Sequence, residues 1–143
     1  MNKSLALIAI LVALTLVVAM ACGSRTERNV PIGKTIKTVT VNSLTAMLSN
    51  STGQLKQGDQ EVMLSFTDSS GKPVDVGAVS LNFHMPAMGG MAAMNDAVSF
   101  TTTDTPGVYR GKVNIGMAGE WQAQLAYEGP AGTGKTSFSV TAQ

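Results

Sequence analysis

The sequence predicts an all-β domain, an antiparallel immunoglobulin-like β-sandwich of about seven strands, preceded by a signal peptide and a short linker. From residue 36 onward, apolar and polar residues alternate with the two-residue period of half-buried strands, while helical periodicity is nearly absent. Turn-forming residues separate these runs at regular intervals. The chain has one cysteine, so no internal disulfide is available and the hydrophobic core must hold the domain together.

The first 21 residues have the features of a signal peptide. Lys3 supplies the basic start and residues 5–18 form the apolar centre. The following Ala-Met-Ala-Cys fits two kinds of cleavage, by ordinary signal peptidase or at a bacterial lipobox. A lone cysteine in an exported protein has no intramolecular partner, which favours the lipobox and lipidation of Cys22. The alternative is an uncleaved membrane anchor, because the apolar stretch is close to the shortest that spans a bilayer.

Residues 22–35 are polar and aperiodic, as expected of a linker between the lipid and a folded domain at 36–143. We therefore expect an exported protein held by its lipid on the cell membrane or outer membrane, with the domain facing the periplasm or exterior. Removal of Lys3 with the leader leaves nine basic and nine acidic residues, thinly spread. Nucleic acid is not an expected partner, because no basic stripe is present.

The strand predictions follow the alternating runs in order. Strands are expected at 36–41, 44–48, 62–66, 79–85, 97–103, 109–115, 121–127 and a last one around Phe138 and Val140. Turn signals such as Asp-Ser-Ser-Gly-Lys-Pro and Asp-Thr-Pro-Gly lie between them. Trp121 is expected at the centre of the core, and Met47 and Met63 are also expected to be core residues.

The segment His-Met-Pro-Ala-Met-Gly-Gly-Met-Ala-Ala-Met, residues 84–94, holds four of the nine methionines and the only histidine. Thioether sulfur is soft and needs no deprotonation, so it suits Cu(I) or Ag(I). Zinc prefers four thiolate, imidazole or carboxylate ligands and calcium several oxygens, whereas this segment offers one imidazole and only Asp96 lies near it as a hard donor. A blue-copper site needs two histidines and a cysteine. The expected cargo is therefore Cu(I), and the candidate metal ligands are His84, Met85, Met88, Met91 and Met94.

The alternative is that these methionines pack in the core or form an adaptable docking surface. Strand parity points Met85 toward the core and His84 outward. Residues 91–94 could also form a helical turn that places two sulfurs on one face. Met117 and Trp121 would approach the segment if their turn lies at the same end of the sandwich.

A phosphate-binding motif is matched letter for letter by Gly-Pro-Ala-Gly-Thr-Gly-Lys-Thr at 129–136. The residues that follow alternate like a strand, whereas such a loop requires a helix, so we interpret the segment as a hairpin connection and expect no nucleotide. Catalysis is not expected either, because nucleophile and base pairs usually require histidine or cysteine and the chain has one of each.

Three segments carry a family resemblance: Phe-His-Met-Pro-Ala-Met-Gly-Gly-Met at 83–91, Pro-Gly-Val-Tyr-Arg-Gly-Lys-Val at 106–113 and Gly-Met-Ala-Gly-Glu-Trp at 116–121. Across about residues 36–142 the chain resembles the YtkA-like domain, akin to FixH-like proteins. The resemblance implies an immunoglobulin-like sandwich on exported or membrane-attached proteins, often associated with copper handling or oxidase assembly. Many relatives place a histidine where this chain has Gly90, so sulfur is the expected main donor here.

Two functional hypotheses follow. In the first, the protein is a Cu(I) chaperone or buffer that holds metal near the membrane and passes it to a copper-receiving protein. In the second, it is a metal-free interaction module that docks on a membrane complex or efflux assembly through the same segment.

Overall fold

The structure is a computed structural model and describes residues 33–143. These residues contain strands and no helix, so none of their segments forms a helix able to cross a membrane. Two antiparallel sheets are built from nine strands, which are β1 (Lys34–Val41), β2 (Leu44–Asn50), β3 (Gly58–Thr67), β4 (Ala78–Met85), β5 (Met94–Ala97), β6 (Ser99–Thr102), β7 (Val108–Ile115), β8 (Gly119–Gly129) and β9 (Gly132–Ala142).

The strand order confirms the predicted immunoglobulin-like sandwich. One sheet has the order β1-β2-β3-β7-β6, and the other has the order β5-β4-β8-β9. With β2 taken as the first immunoglobulin strand, this is the ABED sheet facing the CFG sheet, with β1 added at one edge and β5 at another. Strand β1 begins at Lys34, two residues before the predicted start of the domain.

The prediction of a single strand at 97–103 was wrong, because the chain changes sheets there. Ala97 ends β5 in the four-stranded sheet, and Ser99 begins β6 in the five-stranded sheet. Val98 lies between them with a 9% exposed side chain, and its N–H donates to the Leu81 carbonyl over 2.9 Å. The chain thus passes from one layer to the other at a buried residue. The alternation of inward and outward residues continues unchanged through Val98, because strands of both sheets have the same two-residue period. The sequence pattern therefore does not indicate the change of sheet.

Trp121 lies in the core as predicted, with no exposed surface. Its indole Nε1–H donates to the Met117 carbonyl over 3.0 Å, which fixes the start of β8 against the turn before it. Phe66 packs edge-on against Tyr109 and Tyr127, with ring centroids 6.1 and 5.4 Å apart. The inward residues of both sheets complete one continuous core.

Met47 and Met63 do not belong to the core, and that prediction was wrong. Both side chains are half-buried on the outer face of the five-stranded sheet. Met47 follows the inward residue Ala46, and Met63 follows the inward residue Val62, so strand alternation directs both methionines away from the core.

The Gly-rich segment at 129–136 is a hairpin connection, as predicted. Gly129 pairs with Gly132 across a turn made by Pro130 and Ala131, and the remaining residues continue into β9. Gly134 lies beneath the Tyr127 ring, where an added Cβ would come within 2.4 Å of a ring carbon. This glycine is therefore explained by packing against an aromatic ring.

Tyr109 provides a test of how the β3–β4 connection is held. Its buried phenol donates to Asp75 Oδ1 over 3.1 Å and accepts from the Val76 N–H over 3.3 Å. Tyr109→Phe would leave that buried N–H without a partner, so the free energy of unfolding should fall by about 1–3 kcal/mol in urea denaturation.

Burial raises the pKa of Tyr109, so its phenol ionises first in the unfolded chain. Stability of the native protein should therefore decline as the pH rises above the ordinary tyrosine value of about 10. The Tyr109→Phe variant should lack that part of the decline. Parallel pH profiles of the two proteins above this value would contradict the assignment.

Candidate metal site at the β4–β5 hairpin

The methionine-rich segment forms the closed end of the β4–β5 hairpin. The ladder pairs Phe83 with Asp96, His84 with Asn95, and Met85 with Met94. The same register reaches Met88 and Met91, which exchange two backbone hydrogen bonds of 3.2 and 2.9 Å. Between these sections the ladder is interrupted, where Pro86 has no N–H to donate.

The turn at the tip consists of Gly89 and Gly90. Gly89 has a φ of 56°, the left-handed value that a two-residue hairpin turn requires at its first central position. The Gly-Gly pair between two apolar runs is a recognised sequence signal for such a hairpin. Taken with strand alternation, that signal predicts every residue pair described above. The alternative of a helical turn at 91–94 is wrong, because this segment is extended and enters β5.

Met88 and Met91 form a pair of exposed thioethers, here called the tip pair. Their side chains are 56% and 45% exposed, and within residues 33–143 no other large hydrophobic side chain is so open to solvent. Directly opposed residues in an antiparallel ladder point to the same side, with Cβ atoms about 5 Å apart. Two soft donors therefore lie side by side on the surface, within reach of one ion.

Met85 and Met94 form a second opposed pair, three residues further from the tip on each strand. They lie on the inner side of the hairpin. Met85 is 3% exposed, and its Cε would be 3.1 Å from a Cβ placed on Gly119. Met94 is half-buried, and its Cε occupies the space that a Cβ on Gly116 would need. Both side chains thus pack against the ends of the β7–β8 turn.

His84 lies on the outer face of β4 and is half-buried. Its Nδ1 is 2.9 Å from Asn95 Oδ1, and the same oxygen accepts from Asn82 Nδ2 over 3.3 Å. An amide oxygen only accepts, so this contact fits the tautomer of the neutral ring that has its proton on Nδ1, in which Nε2 has the free lone pair. Sequence reasoning missed Asn95, although the hairpin register places it opposite His84.

His84 and Met88 are four positions apart in the sequence, which is about 13 Å along an extended strand. The five candidate ligands therefore fall into three separate groups on the hairpin. These are the exposed tip pair, the inner pair of Met85 and Met94, and His84 on the outer face.

The β7–β8 turn lies beside the hairpin, at the same end of the sandwich. The Gly116 N–H donates to Asp96 Oδ2 over 2.9 Å, which ties the turn to β5. Met117 is half-buried and packs on the core, while Trp121 is fully buried beneath it. This turn therefore supports the hairpin, and Trp121 does not reach its surface.

Ligands other than thioethers are not clustered in the part of the chain that the structure describes. Within residues 33–143, no three side chains of the histidine, cysteine, aspartate and glutamate types form a set able to hold a metal ion. Cys22 lies outside the described residues, as does the predicted signal peptide.

The fold and this hairpin define a class of immunoglobulin-like sandwich that presents paired methionines at one end. A sequence profile of the YtkA-like family matches residues 38–126, and the protein belongs to that family. The match includes the whole β4–β5 hairpin and the β7–β8 turn. No curated protein and no solved structure matches the chain. The family's immunoglobulin-like sandwich is typically not catalytic.

The two glycines at the tip offer a matched test of the hairpin geometry. An added Cβ meets no atom within 4 Å at either position, but only Gly89 has a positive φ. Gly89→Ala should cost about 1 kcal/mol locally and speed amide exchange at Met88 and Met91 about fivefold. Gly90→Ala should leave exchange at both amides near its original rate. Equal effects of the two substitutions would contradict the assigned turn.

Proposed function

We propose that this protein is an exported, lipid-anchored Cu(I)-binding protein that buffers copper at the membrane or carries it to a receiving protein. A role in oxidase assembly would be one such use. The observation that carries the proposal is the tip pair, in which Met88 and Met91 oppose each other and are both exposed. The function is binding and transfer, without catalysis.

The chemistry of the tip pair suits a monovalent soft cation. Two neutral thioethers bind Cu(I) or Ag(I) without releasing a proton, so the donors remain available in acidic or oxidising surroundings where thiolates would be lost. Exposure of both side chains leaves room for a further ligand from another molecule. A receiving protein with stronger donors can therefore approach the ion and take it by ligand exchange.

The remaining candidate ligands differ in how easily they would join the ion. Met94 is half-buried at the next section of the hairpin, and Met85 would have to leave the core. His84 would contribute through Nε2 only if the ion lay further down the outer face. We therefore assign Met88 and Met91 as the primary ligands, with Met94, Met85 and His84 as secondary ones.

Titration of the purified protein with Cu(I) against a chromogenic chelator tests the proposal. Replacing Met88 and Met91 together by Leu keeps apolar bulk but removes both sulfurs, so metal retention at the hairpin should fall at least tenfold. The matched control is Met85→Leu with Met94→Leu, which removes two inward sulfurs and should retain most of the binding. Wild-type protein that fails to compete with the chelator at equimolar copper would refute the copper function.

The proposed lipid anchor rests on Cys22. Intact-mass measurement of membrane-extracted protein should show a mature chain that begins at Cys22 and carries added acyl mass. Cys22→Ser should remove this mass and release the domain from the membrane. A wild-type chain with an unmodified thiol would contradict the anchor and leave the metal proposal standing.

A second candidate function is metal-free docking, which the exposed apolar surface at the tip favours. Methionine side chains adapt to irregular partner grooves, and the tip pair projects from the domain on a tight turn. The double Leu variant also separates the two functions in cells that lack the native protein. If the protein acts by docking, the variant should replace the native protein in these cells, because its apolar surface is preserved. If the protein acts by copper transfer, the variant should not replace it, because both sulfurs are missing.

A further inference from the structure

The tip pair differs from the inward methionines in its access to solvent. Met88 and Met91 are 56% and 45% exposed, whereas Met85 is 3% exposed in the core. An added Cβ would meet no atom within 4 Å at either glycine of the turn between them, so the space around the tip is open. A small reagent can therefore reach both tip side chains without any opening of the core.

The other methionines that the structure describes are shielded. Met47, Met63, Met94 and Met117 are all half-buried. Met94 and Met117 pack against the hydrophobic core, and the Sδ of Met47 accepts a hydrogen bond from the Thr35 hydroxyl over 3.3 Å. A reagent that attacks thioether sulfur should therefore react first with the tip pair.

Peroxides are reagents of this kind, because they transfer an oxygen atom to exposed thioethers. In this step the O–O bond of the peroxide breaks, and an S–O bond forms with one lone pair of the sulfur. The sulfur is oxidised by two electrons and the peroxide is reduced to water or an alcohol, so the protein loses no proton. The resulting methionine sulfoxide is reversible, since thiol-dependent reductases remove the oxygen as water and are themselves oxidised to a disulfide.

We propose that Met88 and Met91 are sites of reversible oxidation by peroxides, and that this modification makes the hairpin release its metal. The inference rests on the proposed function, because it concerns the same two sulfurs. A sulfoxide presents a hard oxygen, and its S–O dipole weakens the lone pair that remains on sulfur, so a soft cation loses a good donor. Because each residue supplies half of the pair, one oxygen atom is enough to disrupt it.

Oxidation at the tip should leave the fold intact, because neither side chain belongs to the hydrophobic core. The same change at Met85 would place a polar group in the core, where the Met85 Cε would be 3.1 Å from a Cβ placed on Gly119. Metal release by oxidation of the tip is therefore a change in ligand chemistry and does not require unfolding.

The first experiment treats the metal-free, full-length protein with a limiting amount of hydrogen peroxide, and fragment-ion mass spectrometry locates each added oxygen atom. Met88 and Met91 should be oxidised about ten times faster than Met85, which serves as the internal control. Equal rates at the three positions would overturn the modification site. Because no metal is present, this result is independent of the copper proposal.

The second experiment measures Cu(I) retention against the chromogenic chelator before and after oxidation, once the peroxide has been removed. Retention should fall about tenfold or more, both in the wild type and in the control variant Met85→Leu with Met94→Leu. The urea midpoint of unfolding should not change. Methionine sulfoxide reductases with dithiothreitol, which is removed before the assay, should restore retention.

Full retention after oxidation of both tip sulfurs would overturn the release mechanism, as would a loss of retention that follows unfolding of the oxidised protein. Retention that the reductases do not restore would overturn its reversibility. A protein that fails to retain Cu(I) before oxidation would instead refute the proposed copper function and the release with it. The oxidation rates would still decide whether the tip pair is a modification site.

Discussion

The side-chain alternation of the β4–β5 hairpin, kept in one register from the sheet to its tip, determines what this end of the molecule presents. Each cross-strand pair points to a single side, and Met85 with Met94 and Met88 with Met91 form two separate pairs along the hairpin. Met85 and Met94 consequently enter the sandwich, whereas Met88 and Met91 remain in solvent. A slip of one residue would break both methionine pairs and turn the side chains of one strand to the opposite face.

The hairpin depends on the β7–β8 turn for its position. Asp96 accepts a hydrogen bond from the Gly116 backbone, and the ends of Met85 and Met94 rest where side chains on Gly119 and Gly116 would lie. The turn is held in its own place by Trp121, whose indole donates to the Met117 carbonyl. A continuous set of contacts thus connects the largest core side chain to the base of the exposed hairpin, which gives the tip a defined orientation.

Methionine is used in two distinct ways in this domain. Met85 and Met94 fill irregular space at the end of the sandwich, a role that suits a flexible, polarisable side chain. The tip pair lies outside the core, where apolar burial explains its presence less well. Its sulfurs neither titrate nor carry charge, so any ligand that they bind must be selected by softness and shape.

The sequence by itself determined the all-β class, the order of most strands, the burial of Trp121 and the hairpin nature of the Gly-rich segment at 129–136. Each of these depends on local chemistry, namely a two-residue period bounded by turn-forming residues. The pairing of Met88 with Met91 was also within reach of the sequence, because Gly89 and Gly90 specify a two-residue turn. The change of sheet at Val98 could not be predicted from the sequence, because the alternation of side chains continues through this residue unchanged.

Only the tertiary structure decided which side of each strand faces the core and which distant residues meet. Met47 and Met63 lie in apolar runs that predict burial, yet their neighbours Ala46 and Val62 occupy the inward positions. The bond from Gly116 to Asp96 joins residues 20 positions apart, and the Thr35 bond to Met47 joins residues 12 apart. Such contacts follow from the packing and register of whole strands, which no short stretch of sequence contains.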